Sequence, residues 1–277
     1  MTADAWDILR RHLTSAAPGR YPLQAPDPAT CAVCRRPVGP GFARCYQCGR
    51  HARLGRGLLA DAVVPVAYAI KGTALAADLW RYKSLAGPSP SARTSLRLLL
   101  LTFLHDHGEC VWRHAGSRGS GLPGSGLPRS GLRGAGWPGS GLRGAGLRGA
   151  GRLAVVPTGC GRPGPHPLLE LVSPYLRLPL TRLVMRPGSQ GRDLDVNRFR
   201  TDGTAAGARV LLLDDSWVSG ASAQSAAAAL KLAGARQVAI VVLGRHLDPA
   251  EPLTRALAAR LVPARYDPSK CAVHPQT

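Results

Sequence analysis

The segment Arg209-Val210-Leu211-Leu212-Leu213-Asp214-Asp215-Ser216-Trp217-Val218-Ser219-Gly220-Ala221-Ser222 constrains the fold of this chain more than any other. An apolar run bounded by a polar turn suits a parallel strand covered on both faces. Ala221 to Leu232 is alanine-rich and predicts a helix, whose first turn Ser219 or Ser222 could cap by accepting an orphan backbone N–H. A strand that ends in acids and turns through small residues into a helix leaves N–H groups and partial positive charge at the C-terminal edge of a sheet. That edge is an anion site.

Further strands are predicted at Leu153 to Val156 and Gln237 to Leu243, with a short one at Leu180 to Val184 and a terminal helix at Pro252 to Arg260. Strands alternating with helices give an α/β fold with a mainly parallel twisted sheet, right-handed crossovers and its ligand at the C-terminal edge.

The order of residues after the strand has a chemical reading. Two carboxylates just ahead of a phosphate cradle accept hydrogen bonds from sugar hydroxyls, and Ser216 to Ser222 wrap a phosphate about one sugar away. The implied ligand is a ribose 5-phosphate. The segment resembles the PRPP-binding motif of type I phosphoribosyltransferases, with Val218 where a Thr is usual and bulky Trp217 in the loop.

Near the N-terminus, Cys31-x2-Cys34 and Cys45-x2-Cys48 flank a turn containing Pro37, Gly39, Pro40 and Gly41. Each pair can make a tight knuckle, and four thiolates in a tetrahedron suit one structural zinc ion. Disulfides are the alternative. They are disfavoured because Met1 to Arg20 carries Asp4 and Asp7 where a secretory signal is basic, which gives the expectation of a reducing, cytoplasmic location. Trp6, Ile8, Leu9 and Leu13 instead predict an amphipathic helix. Cys110, Cys160 and Cys271 read as scattered thiols, and His105, His107 and His114 as surface residues.

A four-cysteine ribbon followed by a PRPP-type core resembles the ComF family of competence-protein-like phosphoribosyltransferases, over roughly residues 28 to 110 and 152 to 246. Val64 to Tyr68 matches its first strand. Gly72 to Lys83 matches its first helix, ending in Arg81-Tyr82-Lys83 where the family often has a Lys-Tyr pair. Thr158, Gly159, Cys160, Gly161 and Arg162 fall on its pyrophosphate loop. Gln190 and Asn197 fall in its mobile arginine-bearing loop, where Arg186 and Arg192, with Arg162, are candidates to neutralise departing pyrophosphate. Gly161 to Pro167 lacks the family's arginine-rich Arg-Gly segment.

The resemblance implies a type I phosphoribosyltransferase fold with a small N-terminal zinc ribbon, Asp214 and Asp215 as the catalytic acids, and PRPP bound with Mg. Its expected partners are PRPP and an unidentified base or amine acceptor, and a homodimer is compatible with it. A second reading, which the family's link to transformation implies, is a non-catalytic PRPP-fold module acting with nucleic acid or a DNA-uptake partner.

Composition bears on that choice. The formal net charge of the 277-residue chain is +20, which attracts polyanions without reading sequence and implies weak nucleic-acid binding. The arginines are spread along the chain, and no concentrated basic or aromatic platform is legible. From Arg118 a five-residue Gly-rich unit recurs (RGSGL, PGSGL, PRSGL, RGAGW), too poor in apolar residues to build a core and expected to be disordered. Leu96 to Leu104 is a core helix, well short of the ~20 residues that span a bilayer. The expected organisation is 1–27 helix and linker, 28–56 zinc ribbon, 57–114 first part of the main domain, 115–151 insert, 152–262 core, and 263–277 loose tail.

Overall fold

The structure, a computed structural model, describes residues 3–23, 26–118, 150–158, 166–189 and 191–273. Its frame is a parallel sheet of β1 (Ala62–Ile70), β2 (Arg152–Val155), β5 (Arg209–Trp217) and β6 (Gln237–Leu247), in the order β1-β6-β5-β2. A small antiparallel pair, β3 (Leu183–Met185) and β4 (Phe199–Thr201), lies beside it. The helices are α1 (Ala3–Thr14), α2 (Tyr46–Leu54), α3 (Ala74–Arg81), α4 (Pro90–Arg118), α5 (Pro167–Val172), α6 (Ala221–Leu232) and α7 (Pro252–Leu261).

Period-two alternation sorts the strand side chains into two cores. Val210 and Leu212 of β5, with Val238, Ile240 and Val242 of β6, meet Ala223, Ala226, Ala227 and Leu230 of α6. Leu211 and Leu213, with Ala239, Val241 and Leu243, meet α3 and α4 through Leu75, Leu79, Leu96, Leu99 and Phe103. Each of these fully buried leucines contributes roughly 1.5–3 kcal/mol. An exposed ion pair such as Lys71–Asp248 contributes at most about 1 kcal/mol, so the two apolar faces hold the sheet. Gly244 of β6 lets α3 approach, since a Cβ there would sit 2.3 Å from Leu79 Cδ1.

Several expectations need correction. The strand expected over Arg209 to Leu213 is longer, and β5 carries its pairing with β6 on through Asp214 to Trp217. α4 extends far beyond Leu96 to Leu104, and Ala115, expected in the insert, is buried in the core, so the insert boundary lies after Arg118. Residues 119–149 lie outside the described residues. The tail after Pro263 is not loose over its described length: Tyr266, Cys271 and Val273 are buried in the core that includes α1 and α4, and Ala272 is buried beside them in sequence. Its polar sequence hides side chains that the core can use. His107 is likewise buried rather than at the surface, and half-buried His105 stacks on Trp6 with ring centroids 4.1 Å apart, which seats α1.

Among the described residues no helix is long and apolar enough to cross a membrane.

Candidate functional site

Because β1, β6, β5 and β2 run parallel, their C-terminal ends share one edge. There the pleat sends the consecutive carboxylates Asp214 and Asp215 to opposite faces. Asp215 is buried, and its Oδ2 accepts hydrogen bonds from Tyr82 Oη at 2.5 Å and Lys83 Nζ at 2.7 Å. Asp214 is half-buried, and its Oδ1 accepts the Asp215 backbone N–H at 2.9 Å.

These surroundings separate the two acids. Burial, then the neighbouring Asp215 charge, pushes the Asp214 carboxyl up to about 8. Burial also pushes Asp215 upward, but Lys83 and the Tyr82 hydroxyl outweigh it and hold that carboxyl below its ordinary range. One acid is therefore protonated near neutrality and the other ionised, a division found where acids are set to different tasks. His166 caps α5 by accepting the Leu168 N–H on Nδ1 at 3.0 Å.

The turn after the acids is built around Trp217. Its ring is 1% exposed and packs in the α6-side core, so it offers no indole surface to a ligand in the loop. Gly220 (φ 80°) caps α6, and a Cβ there would lie 2.0 Å from the Trp217 ring. Only glycine satisfies both the left-handed backbone and that contact. Ser216 and Ser219 are half-buried, Val218 is exposed, and Ala221 is buried. Ser219 Oγ accepts the Ala221 N–H at 3.3 Å, so of the two candidate caps it is Ser219 that reaches the first turn.

Ser222 has a different partner. Its Oγ accepts from Arg198 Nη1 at 3.1 Å, while Arg198 Nη2 donates to the Asp193 carbonyl. Arg198 is 3% exposed, and its Nε has no hydrogen-bond partner among the described residues. A buried guanidinium beside the first turn of α6 adds fixed positive charge to the helix N-terminus. Thr158, half-buried, follows β2 at the same edge, whereas Gly159, Cys160, Gly161 and Arg162 lie outside the described residues. Arg186 and Arg192 are exposed on the segment that joins β3 to β4.

The second constellation is the cysteine cluster. Sγ atoms of Cys31, Cys34, Cys45 and Cys48 all lie within 4.8 Å of one another, with Cys34 and Cys45 3.7 Å apart. The first knuckle closes through Arg35 in the left-handed region (φ 61°) and a Val33 N–H on Cys31 Sγ at 3.4 Å. The second is the start of α2, with Cys45 as its N-cap and Cys48 in its first turn. Around these pairs the structure has a single antiparallel bridge, Thr30 to Pro37, so this unit is mostly knuckle and helix. Four buried or half-buried sulfurs at this spacing fit a structural zinc ion.

Arg245 joins the two constellations. Only 2% exposed, it donates from Nε to the Cys34 carbonyl at 3.1 Å and from Nη1 to the carbonyls of Trp217 and Val218 at 2.8 and 3.2 Å. A buried cation among carbonyls needs compensating negative charge nearby, which a zinc tetrathiolate supplies.

Tyr82, Lys83, Arg198 and Arg245 were missed as site residues. Tyr82 and Lys83 stood in the sequence only as the end of a helix, and their signal was the basic-aromatic pair itself. Arg198 and Arg245 had no local signal in so arginine-rich a chain.

No protein-family model matches the chain, and neither a curated protein nor a solved structure matches it significantly.

Proposed function

We propose that the chain is a PRPP-binding protein of the type I phosphoribosyltransferase kind, related to the ComF family, which transfers ribosyl 5-phosphate to a base or amine with release of pyrophosphate. The observation that carries this reading is the run from Asp214 through Gly220 into α6, at the C-terminal edge of a parallel sheet. In this reading Asp215, oriented by Tyr82 and Lys83, and Asp214 accept the ribose hydroxyls. The backbone of Ser216 to Ser222, with Arg198 beneath it, holds the 5-phosphate. Val218 and Trp217 shape the turn through their carbonyls and packing rather than by side-chain contact with ligand.

Thr158 is assigned to the pyrophosphate in this reading, with the exposed Arg186 and Arg192 as its cations; Gly159, Cys160, Gly161 and Arg162, assigned with it from the sequence, lie outside the described residues. A bound Mg ion would offset the charge of the pyrophosphate. Lys83 already neutralises Asp215, so that carboxylate suits a sugar hydroxyl better than a directly bound Mg ion. The test is pyrophosphate release across a panel of purine and pyrimidine bases and amines, with PRPP and Mg present. Release with one acceptor class identifies the reaction, and none with any acceptor refutes transfer.

A second reading has its own observation. Phe42 and Tyr46, 68% and 75% exposed, line a cavity of about 740 Å³ with Arg36, Arg44 and Arg53 beside the cysteine cluster. Exposed aromatics among arginines form a stacking platform for single-stranded nucleic acid. This favours the nucleic-acid-binding module more than the sequence did, and the two readings rest on different residues. Fluorescence anisotropy with an oligonucleotide, comparing the parent with Phe42→Ala/Tyr46→Ala, tests it separately.

A further inference from the structure

Three donor side chains converge in the core that α4 makes with the C-terminal segment, well apart in sequence from the four-cysteine cluster. His107 and Cys110 stand three residues apart on α4 and so share a helix face. Cys271 reaches them from beyond α7. One imidazole nitrogen and the two Sγ atoms all lie within 4.8 Å of one another, and the residues are 4%, 8% and 0% exposed.

The histidine is fixed in a ligating form. Its Nε2 lies 2.9 Å from the Pro268 carbonyl, which can only accept, so Nε2 carries the proton. In the neutral ring Nδ1 then presents its lone pair, and it lies 4.0 Å from Cys110 Sγ. A backbone carbonyl locking the far nitrogen is the support that metal-bound imidazoles commonly have. Arg113 Nη2 points its hydrogen at Cys110 Sγ from 3.9 Å. An ordinary core cysteine needs none of these features.

We propose that His107, Cys110 and Cys271 form a second zinc site, with a small exogenous donor completing the tetrahedron. Zn–S near 2.3 Å and Zn–N near 2.0 Å put tetrahedral donors roughly 3.5–3.8 Å apart, so the cluster contracts by about 1 Å or less on binding. The site clasps the segment carrying Tyr266, Ala272 and Val273 onto α4. It does not depend on the PRPP reading.

The test is native mass spectrometry of the full chain purified under reducing conditions with zinc. About two zinc ions per chain are expected, falling to about one in a folded Cys110→Ala/Cys271→Ala variant and to about one in Cys31→Ser. In the unmutated chain, a mild chelator should speed alkylation of Cys110 and Cys271, a readout that survives if a variant does not fold. About one zinc ion in the parent, with alkylation unaffected by chelation, would overturn the proposal. So would a Cys110–Cys271 disulfide in the reduced preparation.

Discussion

Arg245 donates its Nε hydrogen to the carbonyl of Cys34 while its Nη1 holds the carbonyls of Trp217 and Val218, so the cysteine cluster and the turn after the acid pair share one buried anchor. The two constellations are far apart in sequence and adjacent in space.

Zinc removal should therefore be felt at the turn. Loss of the tetrathiolate leaves Arg245 without its compensating charge, at a cost of several kcal/mol before relaxation. Hydrogen exchange of the amides from Trp217 to Ser222 should quicken on chelation, while the β1 and β6 amides stay protected. Unchanged exchange in the turn would mean that Arg245 does not couple the two.

Much of the fold was legible because it rests on apolar patterning. The Val210 to Leu213 run and the alanines of α6 specify a strand and a helix by composition and spacing alone, and α6 is observed at Ala221–Leu232 as expected. The four cysteines were legible because ligand spacing is local, and their Sγ atoms do converge. What could not be read was tertiary. Asp215 meets Lys83 only because α3 packs on β1 and β6 and so brings the residues after its C-terminus to the end of β5, and Trp217 turns inward only because Gly220 leaves room for its ring. The burial of Cys271 was hidden because a polar proline-containing segment gives no periodicity.

Lys83→Met should destabilise the chain by about 1–3 kcal/mol, since it strips a buried carboxylate of its cation. Adding Asp215→Asn should recover part of that loss. Denaturant midpoints of the two single variants and the double variant measure the coupling, and additive effects would mean that the pair contributes nothing.

Gly220→Ala should cost at least about 1 kcal/mol, because it forces a Cβ into the left-handed region and against the Trp217 ring. Enlarging the space with Trp217→Leu should relieve the clash but not the backbone strain. Thermal unfolding of the single and double variants separates these contributions, and a neutral Gly220→Ala would disprove the turn geometry.

Asp214 should make the ligand-free chain lose stability as pH rises. Its carboxyl is raised from 3.8 to about 8 in the folded state, so between those values the folded chain holds a proton that the unfolded chain has released. Its contribution thus declines from about pH 4 to about pH 8 and is level above. Asp214→Asn should flatten that slope in urea titrations across the range. Parallel slopes in parent and variant would show that the Asp214 carboxyl is not raised in the folded chain.

The most direct measurement is isothermal titration of the chain with PRPP and Mg, beside a folded Asp214→Asn/Asp215→Asn variant. Saturable binding by the parent, weakened at least about tenfold in the variant (about 1.4 kcal/mol), is the predicted result. No binding by the parent, or the same affinity in both, would contradict a PRPP site at the end of β5.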